Sequence, residues 1–373
     1  MNKQRIGVLF MMAVFLTSHS WLIAQDTLCW GVQGFVKGMY MGAQSNESSA
    51  TMHTGLLHGR LRFDLDPLDP FSFRVDVRNR VYMGDMVEQV PGFSELMDVD
   101  RGMVDLHFTN RQGSDMLWVM DIDRLLVDYH AKRWTATLGR QRINWGMNTV
   151  WNPNDIFNTY DFFDFDYEER PGSDALRVQY QWGGMSVMEA AASMDSESKL
   201  RSAILYRFNR QGYDLQVLTG YSYDRWLCGI GWAGSIGESG FKGEARYVQP
   251  RDFTPFENRI VASVGVDRTF DPGWYVGLNG LYTGADSRLG FENDAVSFSY
   301  DRAVMLQVNK QINPIWSAGV SVFYGSEDRM AVMPSLSRSL GDNWELLLTG
   351  IGFYEKNASQ NNLFLRLRWS FST

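Results

Sequence analysis

Hydrophobic and polar residues alternate along most of the chain, from residue 28 to its end, in stretches of about 9 to 14 residues. Gly, Pro, Asn and Asp lie between these stretches. A period of two predicts β-strands, because successive side chains of a strand point to opposite faces. Strands of soluble proteins are usually about five to six residues long. The greater length therefore favours strands that cross a membrane.

Three stretches have a face without charges that begins and ends with aromatic residues: 30–40, 274–282 and 316–324. At about 3.3 Å per residue and a tilt near 45°, each face spans roughly 19 to 23 Å. This length is close to the ~25 Å apolar band of an outer-membrane barrel. The three faces are therefore predicted to contact lipid, with their Trp and Tyr residues at the two membrane interfaces.

Charged residues are confined to one face of the stretch 71–81, whose other face is apolar. A slip of one residue would turn its arginines towards lipid, at a cost of up to about 2 to 4 kcal/mol each at the midplane. The last stretch, 363–371, has the same two kinds of face. Both patterns favour a barrel with an apolar outer face and a charged lumen.

The predicted fold is all-β, a transmembrane antiparallel up-and-down β-barrel of about 18 strands. Short connections such as 211–212 alternate with long ones such as 84–115, as expected for periplasmic turns and extracellular loops. The count of 18 assumes that residues 103–109 form a hairpin piece inside one long loop. An even count returns both ends of the chain to the periplasm.

The chain begins with the features of a cleaved signal peptide. Lys3 and Arg5 precede an apolar run at 6–16, and residues 22–24 form a suitable cleavage end. The run is shorter than the about 20 apolar residues of a spanning helix. We therefore expect residues 1–24 to be removed on export, and residues 25–373 to fold as a single outer-membrane β-barrel domain with extracellular loops.

Composition argues against several functions. The net charge of −8 and the pI of about 5.2 argue against a nucleic-acid partner. No catalytic centre is predicted, because His53 and His58 have no nucleophile motif or second base beside them. No cofactor is expected. No metal site is predicted either, since the spacing of a calcium-binding loop is absent.

Arginines on the charged strand faces are the first candidates for function. Because the last strand closes against the first, arginines of the second, third and last strands would share one part of the inner wall. Guanidinium groups in a narrow aqueous pore attract carboxylate or phosphate solutes. Alternatively, nearby aspartates neutralise them in a network that stiffens the barrel. The predicted pore-lining residues are Arg60, Arg62, Arg74, Arg78, Arg80, Arg140, Arg142, Arg177, Arg366 and Arg368.

The stretch 151–170 combines acidic and aromatic residues and is the second candidate. So many aromatic side chains would not stay exposed on a surface loop. We expect the stretch to fold inwards, either as a constriction loop whose acids face the arginines or as a lid across the mouth. An ordered loop on the rim is the alternative. The predicted constriction residues are Trp151, Asp155, Asp161, Asp164, Asp166, Glu168 and Glu169.

Four short segments carry a resemblance to known proteins: GRQRINWG at 139–146, WNPND at 151–155, ERPG at 169–172 and ALR at 175–177. With these segments the chain resembles porin-like outer-membrane channels, especially those of Bacteroidota. In style it is similar to alginate-export barrels, which also have arginine-rich lumens. The resemblance implies a single barrel that conducts solutes across the outer membrane.

These features together predict an outer-membrane channel for the diffusion of small polar, anionic solutes. The arginines would set selectivity, and the acidic and aromatic loop would set size and orientation. Two alternatives stay open: a channel that exports an anionic polysaccharide, and a non-conducting barrel with a surface or assembly role. The expected partners are outer-membrane lipid, the barrel assembly machinery during biogenesis, and the solutes.

Overall fold

A computed structural model of the chain describes residues 29–46, 51–100, 102–158, 172–250, 259–284, 301–356 and 358–372. The predicted signal peptide, residues 1–24, lies outside these ranges. No helix of the described residues is long and apolar enough to cross a membrane.

Within the described ranges, nineteen strands form a single sheet. Two short helices, Asp85–Gln89 and Phe93–Met97, and a 3-10 turn, Ser326–Asp328, complete the regular structure of the described chain. In chain order the strands are β1 Cys29–Ser45, β2 Met52–Leu68, β3 Phe71–Gly84, β4 His107–Gln112, β5 Met116–Ala131, β6 Trp134–Gln141, β7 Ser173–Trp182, β8 Ser186–Met194, β9 Leu200–Arg210, β10 Tyr213–Ser222, β11 Arg225–Ile236, β12 Ser239–Pro250, β13 Arg259–Phe270, β14 Trp274–Thr283, β15 Arg302–Gln311, β16 Trp316–Gly325, β17 Arg329–Gly341, β18 Trp344–Tyr354 and β19 Ser359–Ser372.

The sheet is a closed antiparallel barrel, because β1 pairs with both β2 and β19. In the described wall each strand pairs with the strands before and after it in the chain, except around β4. β3 pairs directly with β5, and β4 pairs with only the first part of β5, whose second part pairs with β6. The short β4 is therefore a hairpin piece of a long loop, and the remaining 18 strands form the wall. The predicted fold class and strand number are confirmed.

The outer face of the wall is apolar and the inner face is polar, as the alternation predicted. On β19 the side chains of Leu363, Leu365 and Leu367 are exposed on the outside, whereas Arg366 between them is largely buried. Trp30 and Tyr40 are exposed on the same outer face of β1. An uncharged band with aromatic residues near its edges is the surface that a bilayer requires of a spanning barrel.

Connections sort into two ends of the barrel because successive strands run in opposite directions. Tight turns such as 183–185, 211–212 and 271–273 lie at the end where β1 begins and β19 finishes. At the other end β3 finishes and β5 begins, separated by a long connection, and so do β6 and β7. We call this other end extracellular, because outer-membrane barrels have short periplasmic turns and longer extracellular loops.

A β-bulge interrupts the pairing of β3 with β5. Asp76 lies opposite Arg124, but the next residue, Val77, lies opposite Ile122, so Asp123 is left without a cross-strand partner. Because a bulge inserts one extra residue, it breaks the alternation of faces. Asp123 and Arg124 are consequently buried side by side, at 5% and 3% exposure. The bulge thus adds one charged side chain to the inner face.

Candidate solute pathway

Arginine and aspartate side chains form a continuous ladder of ion pairs on the inner face of β2, β3 and β5. We call it the arginine ladder. It joins five of the predicted arginines to four aspartates on the same strands. Its members are Arg60, Arg62, Arg74, Arg78 and Arg80 with Asp64, Asp76, Asp121 and Asp123.

The periplasmic end of the ladder is its more accessible part. Asp64 lies between two arginines, with Arg62 Nε 2.8 Å from its Oδ2 and Arg74 Nε 2.6 Å from its Oδ1. The side chains of Arg62 and Arg74 are 31% and 37% exposed. Their guanidinium groups therefore keep surface available to solvent although each is paired. This end of the ladder can contribute a positive potential to the lumen.

The middle of the ladder is buried. Arg60 Nη2 donates to Asp76 Oδ2 at 2.6 Å, and Arg60 Nη1 lies 3.6 Å from Asp123 Oδ2. Arg78 Nη2 lies 3.1 Å from Asp123 Oδ1 and 3.3 Å from Asp121 Oδ2. Asp123 on β5 is shared by Arg60 on β2 and Arg78 on β3, so these ion pairs hold the three strands in one register. Removing one partner of such a buried set costs about 3–5 kcal/mol, since the charge left behind is uncompensated.

Three of the five remaining predicted arginines lie on other wall strands, while Arg142 is half-buried just after the end of β6. Arg177 Nε lies 2.7 Å from Glu189 Oε1, and Arg366 Nη2 lies 2.9 Å from Glu345 Oε1. The guanidinium of Arg368 lies 4.5 Å from the ring centre of Phe35. These arginines are on the inner face of other strands and are not part of the ladder.

Arg140 binds a loop segment and is enclosed by it. Its Nε donates to Asp174 Oδ1 at 2.8 Å, its Nη1 to Asp100 Oδ2 at 2.7 Å, and its Nη2 to the carbonyl of Val104 at 2.6 Å. With 7% exposure, Arg140 has little surface left for a solute. It clamps residues 98–100 and 102–106, which we call the strap, against β6 and β7. The sequence predicted that Arg140 lines the pore. In the structure its side chain instead binds the strap.

A glycine in the strap is expected to be essential for the clamp. The strap reaches the end of β8 through a bridge between Gly102 and Asp195. A Cβ at Gly102 would lie 1.9 Å from Arg140 Nη2 and 2.6 Å from Asp174 Oδ2. Gly102→Ala should therefore displace the strap, at a cost of about 1–3 kcal/mol, and limited proteolysis of the refolded protein should cut it faster. Gly184→Ala, at a turn position with open space, is the matched control; equal cleavage of both variants would contradict the clamp.

The first part of the connection between β6 and β7, residues 142–158, folds into the barrel. We call it the inward loop. Glu244 on β12 is fully buried and accepts three backbone N–H groups from the loop, those of Met147, Asn148 and Asn154. The last two bonds are 2.7 and 2.8 Å long. One carboxylate on the far wall therefore fixes two separate parts of the inward loop.

Polar side chains of other strands extend this attachment. Ser263 on β13 donates to the carbonyl of Trp151 at 2.8 Å and accepts from Asn148 Nδ2 at 3.0 Å. Gln216 on β10 donates to the carbonyl of Trp145, whose indole N–H donates to Glu189 on β8. Because a buried backbone carbonyl or N–H without a partner is costly, these bonds determine which wall strands the loop can lie against.

Two clusters of apolar residues bury the side chains of the inward loop that point towards the wall. The first joins Ile143, Trp145, Ile156 and Phe157 to Ala175, Ala191, Ala203, Leu205, Leu218, Leu227 and Val248. The second joins Val150 and Trp151 to Val261, Leu281, Ala303, Met305, Phe323, Ala331, Met333 and Ile351. The inward loop thus contacts the inner wall from β7 to β18, and these two apolar clusters do not include residues of the strands that carry the arginine ladder.

The predicted constriction residues fall into two groups. Trp151 and Asp155 are buried, at 6% and 1% exposure, within the inward loop and its contact with the wall. Their side chains therefore anchor the loop and do not face an open passage. Asp161, Asp164, Asp166, Glu168 and Glu169 lie outside the described residues.

An apolar cap lies above the ladder at the extracellular end. The helices Asp85–Gln89 and Phe93–Met97 cover inward-facing wall residues there, and Asp85 Oδ2 accepts the backbone N–H of His53 at 2.7 Å. The cap packs against residues of β1, β2, β3 and β5. Its buried members are Met39, Leu56, Tyr82, Val87, Phe93, Leu117 and Val119.

Sequence reasoning missed the residues that hold the inward loop. Glu189, Gln216 and Glu244 each lie on an alternating stretch, so their inward direction could have been predicted. Their partners in the loop could not, because the loop has no period that reveals its path. In the described part of the chain, no three His, Cys, Asp or Glu side chains form a group that could hold a metal ion.

Neither the family models nor the curated proteins that were compared with the sequence match it. Solved structures do match. OccAB4 of Acinetobacter baumannii is 10% identical with a TM-score of 0.59, over 94% of this chain and 100% of that one. OccK8 (OprE) of Pseudomonas aeruginosa is 10% identical with a TM-score of 0.60, over 92% and 98%. The outer membrane protein opdK of the same organism is 10% identical with a TM-score of 0.59, over 92% and 99%. The chain therefore has the fold of a porin-like outer-membrane β-barrel, with 18 strands in its wall.

Proposed function

We propose that this protein is an outer-membrane channel for passive diffusion of small polar solutes, with a preference for anions. The observation that carries the proposal is the arginine ladder, whose periplasmic end is accessible, on strands that the apolar contacts of the inward loop do not reach. The loop reduces the cross-section of the lumen, and the ladder supplies the charge beside the remaining passage. Charged side chains close to a narrow pore select ions by sign.

Charge counting on the inner faces of β19, β1, β2, β3 and β5 supports the preference for anions. With the histidines neutral, these faces carry nine basic and six acidic side chains, an excess of three positive charges. Walls of low dielectric strengthen the potential that such an excess produces. The residues are Lys37, Arg60, Arg62, Arg74, Arg78, Arg80, Arg124, Arg366 and Arg368, against Asp64, Asp66, Asp76, Asp121, Asp123 and Asp128.

A structural neighbour gives a first indication of solute class. One structure of Pseudomonas aeruginosa OpdK is described as OpdK with vanillate. Vanillate is a small aromatic carboxylate, the kind of anion that a wall rich in guanidinium groups would attract. Small carboxylates are therefore the first solutes to test. No catalysed reaction is part of the proposal.

Uptake into proteoliposomes tests the proposal with two solutes of similar size. Gluconate carries one negative charge and glucose carries none, so a difference between them reports charge preference. We expect the refolded protein to take up gluconate severalfold faster than glucose. Faster glucose uptake would contradict the preference for anions. A barrel that admits neither solute would favour the surface or assembly role.

A further inference from the structure

The outer face of β13 to β17 carries charge of one sign only, although the whole chain has a net charge of −8. Among the described residues of this face all charged side chains are basic, and three of the four lie at the periplasmic end: Arg268 on β13, Lys310 on β15 and Arg338 on β17. They alternate in step with exposed apolar residues such as Val266 and Leu306. The three side chains therefore point away from the lumen.

Aromatic rings hold two of these cations at the edge of the apolar band. Lys310 lies opposite Trp274, with its Nζ 5.0 Å from the centre of the ring. Arg338 lies opposite Trp316, with its guanidinium 5.0 Å from the centre of that ring. Trp and Tyr residues of membrane proteins lie at the level of the lipid headgroups, and a cation is attracted to the face of an aromatic ring. Both cations are therefore held at headgroup depth.

No carboxylate of the described chain neutralises Lys310 or Arg338. The hydrogen bond of Lys310 goes to the carbonyl of Pro272, and Arg338 is exposed with neither a hydrogen bond nor an ion pair among the described residues. Arg268 differs, because its guanidinium pairs with Glu238. Two uncompensated positive charges therefore remain on a surface that otherwise meets lipid.

One strand, β16, separates the two cations. Lys310 lies opposite Ala318 of this strand, and Arg338 lies opposite Trp316, two residues closer to the periplasm. Neighbouring strands are about 4.8 Å apart, so the backbones of β15 and β17 are separated by roughly 10 Å. The small side chain of Ala318 leaves the space between the cations open. Two side chains as long as these can therefore reach one headgroup from both sides.

The turn between β15 and β16 adds apolar surface beside the cations. Its residues Ile312 and Ile315 are both more than half exposed. Binding to a lipid surface strengthens with the apolar area that is buried and with electrostatic attraction to anionic lipids. Here an apolar turn and two free cations lie together at the periplasmic edge of the barrel.

We propose that Lys310 and Arg338 bind the headgroup of an anionic phospholipid in the periplasmic leaflet. Its acyl chains would lie along the apolar outer face, against Val308, Val320 and Leu336. A guanidinium donates two parallel hydrogen bonds to phosphate, and the ammonium adds a point charge. Basic pockets at the membrane surface bind phosphate-bearing headgroups in this way. The inference goes beyond the proposed channel function and does not depend on it.

Native mass spectrometry of the refolded protein in detergent tests the site with phosphatidylglycerol, and phosphatidylcholine with the same acyl chains is the control without net charge. The first phosphatidylglycerol should bind the wild type about tenfold more tightly than the first phosphatidylcholine, because its headgroup keeps a net negative charge. Arg338→Gln should remove most of this preference. Arg338→Lys should keep part of it, since it keeps the charge but not the paired donors. Lys310→Gln with Arg338→Gln should bind both lipids equally.

The matched control is Arg210→Gln. Arg210 is an exposed, outward-facing arginine at the periplasmic end of β9, and the neighbouring strands β8 and β10 have no outward-facing basic residue. This variant should prefer phosphatidylglycerol as strongly as the wild type. Equal binding of both lipids by the wild type, an unaltered preference in the double variant, or an equal loss in Arg210→Gln and Arg338→Gln would overturn the site. Heat-modifiable mobility on gels establishes that each variant forms the barrel.

Discussion

Replacing Glu244 with alanine is expected to release the inward loop and to raise the single-channel conductance severalfold. Glu244 accepts three loop N–H groups from a fully buried position. Each buried donor left without a partner costs about 1–3 kcal/mol. The wall strands are held by their own pairing, so the cost falls on the attachment of the loop. A loop that leaves the wall or fluctuates would widen the passage and add current noise.

The control for this experiment is Glu238→Ala, because the Glu238 side chain is 79% exposed at a periplasmic turn and pairs with Arg268, whose side chain is 40% exposed. Its conductance should equal that of the wild type. Glu244→Gln should lie between alanine and wild type, since an amide oxygen still accepts hydrogen bonds but without the charge. An unchanged conductance in Glu244→Ala would contradict the anchoring of the loop by this residue.

Replacing Arg74, Arg78 and Arg80 together with glutamine is expected to abolish the anion preference. The five strand faces around the ladder carry an excess of three positive charges. Removing three guanidinium groups cancels that excess. The reversal potential in a salt gradient should therefore move close to zero. A triple variant that selects anions as strongly as the wild type would show that the ladder does not set selectivity.

Two further variants make the ladder experiment robust to misfolding. Arg78 is buried between Asp121 and Asp123, so its loss can destabilise the barrel by about 3–5 kcal/mol. Arg74→Gln alone removes a more exposed charge and should weaken anion preference in part. Asp64→Asn removes a negative charge from the same end of the ladder and should strengthen it. Opposite shifts in these two variants would support the ladder even if the triple variant fails to fold.

Local pattern was enough to predict the barrel and the position of the ladder. A strand that faces lipid on one side and water on the other must alternate, so Arg74, Arg78 and Arg80 were assigned to the lumen from 71–81 alone. The even strand count predicted that both ends of the chain lie on the same side, and in the structure β1 pairs antiparallel with β19. The signal peptide at 1–24 stays a prediction.

The features that the sequence did not reveal depend on long-range contacts. Glu244 is 96 residues from Asn148 and 90 from Asn154, and no periodicity connects them. Arg140 lies at the end of an alternating stretch, but three partners outside the lumen pattern enclose it. The bulge at Asp123 changes the face of every later residue of β5. Such details are decided by packing between segments that are far apart in the chain.

The most direct test of the central claim is the reversal potential of single wild-type channels in planar bilayers under a gradient of KCl. An open passage beside a wall with excess positive charge predicts discrete current steps and a reversal potential displaced towards the equilibrium potential of chloride. A potential displaced towards that of potassium, or a barrel that shows no steps, would contradict the account.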